Sequence, residues 1–236
     1  MKSLFIYLIL VTILIVSCQK ILFNEDESIR EIKLDDFHAV RIKGIYKFIL
    51  IQDSTNRLII AGKNDINSID AIIKKDTLLI DDHKNISFNP NKNTLTLHFS
   101  NLKYIDSSDP IELSNTDTIQ ADQFSFVAGG EIEEVRLVFK CNNFFAVNNS
   151  NTLGYLHFSG EAESCWIWNR YGSIMYADNL HCKDAVIYNE SVGDVNINAS
   201  DNIDAFIRGP GNICYYGTPV ITIGEKRGTG KIIRLY

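Results

Sequence analysis

The chain has 236 residues, of which 45% are hydrophobic and 22% are charged, and its formal net charge at pH 7 is -6. This balance is typical of a globular protein, so it excludes a disordered chain, a collagen and a multi-pass membrane protein. The acidic excess also argues against a nucleic-acid partner. Ile, Val, Phe and Tyr are abundant and Ala is scarce, which predicts strands rather than helices.

The first residues have the pattern of a secretory signal. Lys2 precedes an apolar run from Leu4 to Val16 that is too short to span a bilayer comfortably. Ile15-Val16-Ser17-Cys18 resembles a bacterial lipobox, in which the Cys receives acyl chains and becomes the new N-terminus. We therefore expect residues 1–17 to be a lipoprotein signal peptide and Cys18 to be the lipidation site. The alternative is an ordinary secretory signal followed by an incidental Cys.

Residues 18–34 are expected to form the lipidated Cys and a polar tether. Gln19 stands where an inner-membrane retention signal usually carries Asp, so similarity to known lipoproteins implies an outer-membrane lipoprotein. The acidic stretch Asn24-Glu25-Asp26-Glu27 resembles the surface-export signal of Bacteroidetes lipoproteins. We expect a cell-envelope location, with the inner or outer leaflet left open.

Short runs from Phe37 to Asp81 alternate apolar and polar residues and are separated by turn residues such as Asp53-Ser54-Thr55-Asn56. Period-two alternation bounded by turn residues predicts β-strands, and no helix of useful length is predicted here.

Beyond residue 100 the chain repeats itself about every 20 or 21 residues. Self-comparison aligns six apolar positions that we expect to face inward: Ile105, Phe126, Ala146, Ile167, Ile187 and Ile207. A second inward column is expected from Ile111, Ile132, Leu153, Ile174, Val195 and Ile213. Nearly constant spacing with the same alternation in each copy is typical of a stacked solenoid.

Two inward strands in each repeat imply coils that close on themselves and hydrogen-bond to the next coil about 4.8 Å away. We therefore predict that residues 35–236 form an all-β, right-handed parallel β-helix. The alternative is a generic β-sandwich, whose strands would be spaced irregularly along the sequence. Asn148, Asn169 and Asn189 fall in one column. They are expected to form a structural ladder at a corner, because Asn bonds to turn backbone and tolerates left-handed conformations. Three exposed turn asparagines are the alternative.

The chain from about Phe37 to Tyr236 resembles the putative auto-transporter adhesin, head GIN domain family. The resemblance lies in the opening Phe37–Gln52, in Asp76–Ile80, and in the closing Gly209–Pro219 with Gly228-Thr229-Gly230. The family's usual Ser-Gly-Ser-Gly corners are degenerate here, so the chain is a divergent member. The resemblance implies adhesion and brings no catalytic residues.

Outward positions of the repeats carry a row of aromatic side chains. The members of this aromatic strip, which include both tryptophans of the chain, are Phe145, Trp166, Trp168, Tyr188 and Phe206. Exposed aromatic faces suit glycan or protein binding, and a large apolar patch usually marks a partner. The alternatives are that the N-terminal strands, a loop or a second subunit covers the strip, or that it is simply exposed.

Catalytic signals are lacking in the sequence. The five His residues show no metal-ligand spacing, and neither a Gly-x-Ser-x-Gly elbow nor a phosphate loop occurs. We expect no enzyme activity, no metal and no cofactor. Cys141, Cys165, Cys182 and Cys214 are expected to be mostly free and buried, since Cys141 and Cys182 lie two coils apart.

Three functional hypotheses follow. The first is a lipid-anchored, non-catalytic module that binds a glycan or a surface protein through the aromatic strip. The second is an assembly scaffold in which the strip is a homo-oligomer interface. The third is a polysaccharide-active enzyme, which the uncharged outer face disfavours.

Overall fold

The computed structural model describes residues 27–63, 65–83, 92–151 and 153–236. Within these ranges the chain forms eighteen strands and one short 3-10 helix, Ile66–Ser68. The strands are β1 (Ser28–Lys33), β2 (Ala39–Lys43), β3 (Tyr46–Gln52), β4 (Arg57–Gly62), β5 (Ile69–Lys74), β6 (Thr77–Asp82), β7 (Asn93–Phe99), β8 (Tyr104–Ser107), β9 (Ile111–Asn115), β10 (Ile119–Gln120), β11 (Gln123–Ala128), β12 (Ile132–Asn148), β13 (Tyr155–Tyr171), β14 (Ile174–Ser191), β15 (Val195–Ile207), β16 (Ile213–Tyr216), β17 (Val220–Lys226) and β18 (Ile232–Arg234).

The centre of the molecule is a parallel stack of long strands. β12, β13, β14 and β15 pair in order and in parallel, and each continues for 13 to 18 residues. Ile167 lies between Ala146 below and Ile187 above, and all three are fully buried. The predicted all-β solenoid with like residues stacked in columns is confirmed.

Two details of the predicted register are wrong. Leu153 is 78% exposed, because β12 has an irregularity between Ile132 and Glu134 that shifts the following residues by one place. The second inward column therefore comprises Leu113, Val135, Leu156, Met175, Val195 and Ile213. The last repeat is also shorter than predicted, so that Ala205 rather than Ile207 pairs with Ile187.

The N-terminal coils are stacked out of chain order. β2 lies between β6 and β8, and β3 lies between β7 and β9, all in parallel register. In the stack, β6 and β7 therefore lie on one side of β2 and β3, and β8 and β9 lie on the opposite side. Strands β1, β4 and β5 add antiparallel pairs at this end.

Part of the segment expected to be a polar tether is a strand. β1 pairs with β4 from Ser28↔Gly62 to Lys33↔Arg57. Ile32 packs against the core, and the Arg30 guanidinium donates to the carbonyl oxygen of Ile69 at 3.0 Å. Burial of one apolar side chain and a satisfied guanidinium explain why this charged segment joins the sheet.

The core runs along the whole stack and contains a cluster of aromatic rings. Phe139 and Phe144 have ring centroids 4.3 Å apart, and Phe144 meets Phe158 edge-on at 4.9 Å. Rings in this tilted and edge-to-face arrangement fill the interior with favourable quadrupole contacts. Because inward positions are filled in this way, the alternate positions of each strand are directed outward and form the molecular surface.

Candidate functional site

The aromatic strip lies on the outer face of the sheet formed by the second halves of the long strands. Trp166 pairs with Phe145 of β12 on one side and with Val186 of β14 on the other. Trp168 pairs with Tyr188, which pairs with Phe206 of β15. The five aromatic residues are thus brought together in two adjacent columns across four strands.

The rings of the strip touch one another in sequence. Phe145 and Trp166 are 6.5 Å apart between centroids, and Trp166 meets Trp168 edge-on at 5.8 Å. Trp166 also lies 5.6 Å from Tyr188, whose ring is stacked on Phe206 at 4.2 Å. These distances are in the range where aromatic pairs attract, so the side chains hold one another in place.

The strip is half-buried by its own members and still open to solvent. Phe145 is 36% exposed, and the other four rings are half-buried. Trp166, Trp168, Tyr188 and Arg208 line a shallow hollow of about 250 Å³. No other described residue lines this hollow. In the described part of the chain, the N-terminal strands therefore do not cover the strip.

A chain of alternating charges borders the strip. The guanidinium of Arg170 lies 3.6 Å from the ring centroid of Trp168, a cation–π contact, and its Nε is 3.4 Å from Glu190. Glu190 also accepts a hydrogen bond from Arg208 at 2.7 Å, and Arg208 in turn donates to Glu225 at 2.6 Å. Because each arginine faces a carboxylate, the border is polar without a strong field of either sign.

Two features of the strip were not predicted from the sequence. A Cβ atom on Gly224 would lie 2.3 Å from the ring of Phe206. Only glycine at this position therefore allows the ring to stack on Tyr188. The indole N–H of Trp168 is buried and finds no acceptor among the described residues. An unpaired buried donor of this kind is uncommon in a folded protein because it is costly.

The three predicted ladder asparagines lie fully buried at one corner of successive coils. Asn148 donates through Nδ2 to Oδ1 of Asn169 at 3.1 Å, and Asn169 donates to the carbonyl oxygen of Ser173 at 2.8 Å. Asn189 donates to the carbonyl oxygens of Gly193 and Asn212 at 3.1 and 3.0 Å. These amides satisfy corner carbonyls that strand pairing leaves free, and so hold the corner beside the strip.

Arg170 pairs with Glu190 between β13 and β14, whereas Asp184 and Asp204 are not paired. Asp184 pairs instead with Asn202, which donates to it at 2.7 Å, because the last repeat is shortened.

The four cysteines of the described domain are buried and free, as predicted. Burial raises the pKa of the Cys141 thiol from 9.0 to about 11. A hydrogen bond with Cys182, together with burial, raises the pKa of Cys165. The thiols of Cys141 and Cys165 are therefore neutral at physiological pH and are poor nucleophiles.

The predicted lipidation site Cys18 and the signal peptide lie outside the described residues. Within the described ranges, no helix has the length and apolarity needed to cross a membrane. In the same ranges, no group of three or more His, Cys, Asp or Glu side chains is arranged to hold a metal ion.

The sequence matches the model of one protein family. The model of the putative auto-transporter adhesin, head GIN domain family matches residues 36–219, which is most of the chain. The chain belongs to this family. The match begins just after β1 and ends before β17, so it includes all five strip positions and the asparagine ladder.

Solved structures share the fold of this family member. A structure from Bacteroides fragilis described as a putative adhesin has a TM-score of 0.77 and 22% identity, covering 90% of this chain and 98% of its own. One from Parabacteroides distasonis described as a putative lipid binding protein has a TM-score of 0.68 and 16% identity, with the same coverage. A putative adhesin from Parabacteroides merdae has a TM-score of 0.59 and 19% identity, again with that coverage. Among curated proteins, no sequence matches the chain.

Proposed function

We propose that this family member is a cell-envelope lipoprotein, anchored through an acylated Cys18, that binds a glycan through the aromatic strip without catalysis. The observation that carries the proposal is the contiguous, solvent-open row from Phe145 to Phe206. The description of the family, and of a solved structure with the same fold, as putative adhesins supports a binding role.

A glycan fits the physical character of the strip. Sugar rings have apolar C–H faces that pack on aromatic rings, and hydroxyl groups that exchange hydrogen bonds with polar side chains. The bordering Arg170, Glu190 and Arg208 supply donors and acceptors that are already oriented by their ion pairs. Together with Glu225, which pairs with Arg208, they give a near-neutral border. This balance favours an uncharged glycan, because an acidic one would meet no uncompensated cation.

A lipid fits the strip less well, although one solved structure is described as a putative lipid binding protein. Enclosed ligand pockets usually have volumes of about 300–1,000 Å³ and bury most of their ligand. The hollow beside Trp166 has about 250 Å³ and opens to solvent, so it can contact one face of a ligand but cannot enclose an acyl chain.

Screening on a glycan array tests the proposal. The wild type is compared with Trp166→Ala and Trp168→Ala, and with Tyr155→Ala as a matched control. Tyr155 is 50% exposed and lies on the outer face of a different sheet. We expect a glycan signal that both tryptophan variants lose and the control keeps, with all variants folded by circular dichroism. A signal that survives in both tryptophan variants would refute the strip as the site.

A second copy or a surface protein is the other occupant that the strip could take. Light scattering distinguishes this case. An assembly scaffold would have a mass greater than that of one chain, and this mass would fall in Trp166→Ala. The scaffold would give no signal on the glycan array. Anchoring is tested separately by incorporation of labelled palmitate into the wild type, which should be lost in Cys18→Ala.

A further inference from the structure

A second concave surface lies far along the stack from the strip. It is a hollow of about 960 Å³ on the outer face of the sheet made by β1, β4, β7, β3 and β9. We call it the N-terminal groove and define its floor by Ile49, Ile51, Ile59, Ala61, Thr94 and Thr96. This sheet differs from the one that carries the strip, so the two surfaces are independent.

The floor of the N-terminal groove is apolar where a solvated sheet face would be polar. Ile49 of β3 and Ile59 of β4 both pair with Thr96 of β7, so the two isoleucines flank the same threonine. All three side chains are half-buried, although they occupy outward positions. On a sheet face that is exposed to water, the outward positions are normally polar. The isoleucines at these positions therefore suit the floor to an apolar contact.

The rim of the groove is acidic. Glu27, Glu31, Asp53 and Asp117 line it. Glu31 is 54% exposed and reaches the Arg57 guanidinium only at 4.0 Å. No cation of the described residues forms an ion pair with Glu27 or Asp117. Thr116 donates a hydrogen bond to Asp117 at 3.1 Å, and this neutral donor leaves the carboxylate charged. Glu27, Glu31 and Asp117 are therefore the rim carboxylates that can meet a ligand cation.

The single arginine of the groove is already engaged at one end of the floor. Arg57 lies 3.5 Å from Asp53 and 3.0 Å from Nδ1 of His98, and that same nitrogen lies 2.6 Å from Asp53. Burial alone would raise the pKa of Asp53, but hydrogen bonds from Thr55 and His98 outweigh it and hold the pKa below its usual value. Asp53 thus stays ionised and neutralises Arg57, so the groove presents no free cation to a carboxylate ligand.

We propose that the N-terminal groove binds an aliphatic amine, whose carbon chain lies on the isoleucine floor and whose ammonium group meets the carboxylates of Glu27, Glu31 and Asp117. The apolar floor selects the chain, and the acidic rim selects the positive head. An alkyl carboxylate of the same length offers the same apolar contact, but its head is repelled by the rim.

Octylamine and octanoate form a matched pair of probes, because they share chain length and differ in head charge at pH 7. The full chain is labelled at its isoleucine methyl groups and titrated with each probe while NMR follows Ile49, Ile51 and Ile59. We expect octylamine to shift these three methyl signals saturably, and octanoate to leave them in place at the same concentrations. Equal shifts from both probes, or none from octylamine, would overturn the proposal.

Variants separate the floor from the rim. Glu31→Gln combined with Asp117→Asn should weaken octylamine binding about threefold or more, since exposed ion pairs contribute modestly. Ile59→Lys should abolish binding, because it places a charge on the floor. Ile72→Lys is the control, because Ile72 is 48% exposed on β5 and lies outside the groove. This variant should bind octylamine like the wild type.

Two further outcomes would count against the proposal. If Ile59→Lys binds octylamine as the wild type does while its circular dichroism is unchanged, the floor is not the site. If mixed labelling shows contacts between the Ile59 methyl group and a second copy of the chain, the groove is an interface between copies. Neither outcome would affect the glycan experiment, because that experiment reports on Trp166 and Trp168.

Discussion

The ring of Tyr188 lies flat on the ring of Phe206, with 4.2 Å between their centroids and 9° between their planes. The two residues are directly paired on β14 and β15, so the stacking follows from the register of the coils. Trp168, Tyr188 and Phe206 therefore form one column of the strip. The shape of the proposed binding surface thus depends on how the coils are aligned.

Gly224→Ala should disturb this column. The new Cβ would clash with the Phe206 ring at 2.3 Å, and a ring can move more easily than the backbone. We expect Phe206 to leave Tyr188 and the free energy of unfolding to fall by about 1 kcal/mol, the usual contribution of an aromatic pair. Denaturant unfolding measures this. Gly129→Ala is the control, because its Cβ would approach nothing nearer than 3.4 Å, and a comparable loss there would contradict the explanation.

Asn189→Ala should be strongly destabilising. The substitution leaves the buried carbonyl oxygen of Gly193 without its donor, at a cost of about 1–3 kcal/mol. It also removes one of two donors to the carbonyl oxygen of Asn212, which keeps the N–H of Val195 at 2.9 Å. Asn142→Ala is a matched control. Asn142 is exposed and bonds only to Asp122 at its side chain, so its loss should change stability by less than about 0.5 kcal/mol. Equal effects of both substitutions in urea unfolding would argue against a structural role for the ladder.

Stability should fall at alkaline pH because of Cys141. Its pKa is about 11 in the folded chain and near 9.0 when unfolded, so the folded state retains a proton that the unfolded state loses. The resulting contribution, about 2 kcal/mol, is fully present below pH 9 and is lost as pH rises towards 11. Unfolding measured from pH 7 to pH 11 should show a smaller decline in Cys141→Ala. An identical decline in both proteins would exclude this thiol as the cause.

Glu190→Gln should alter ligand selection more than stability. Glu190 contacts both Arg170 and Arg208 and is partly exposed, so its ion pairs contribute about 0–1 kcal/mol to folding. Removing its charge leaves a net positive border beside the strip. We expect acidic glycans to bind the variant more tightly than the wild type on the array, and less so at high salt. An unchanged preference would mean that the charge border does not contact the ligand.

The sequence predicts the central coils well because their repeats are nearly identical in length. Inward columns such as Ala146, Ile167 and Ile187 follow from period-two alternation. When successive repeats have nearly equal length, this alternation aligns the inward residues of one coil with those of the next. The same reasoning places the strip residues on one face. It fails near Ile132, where one extra residue inverts the inward and outward positions. It also fails before Ala205, where the repeat is two residues shorter, so that the column moves by two places and Ile207 stays inward.

The N-terminal topology was beyond this kind of prediction. Val40 pairs with Leu78 on one side and with Ile105 on the other, so its partners are 38 and 65 residues away and share no repeat. Alternation is also the same in parallel and antiparallel strands, so the antiparallel β1, β4 and β5 give no distinct signal. Ile49 and Ile59 read as ordinary strand residues, and only the folded sheet shows that they form an apolar floor.

Both tryptophans of the chain lie in the strip, so intrinsic tryptophan fluorescence reports on the proposed site alone. Titrating the protein with a glycan that binds on the array should change the emission saturably, with a midpoint equal to the dissociation constant found by calorimetry. Emission that stays constant while calorimetry records saturation by that glycan would place the ligand elsewhere and contradict binding at Trp166 and Trp168.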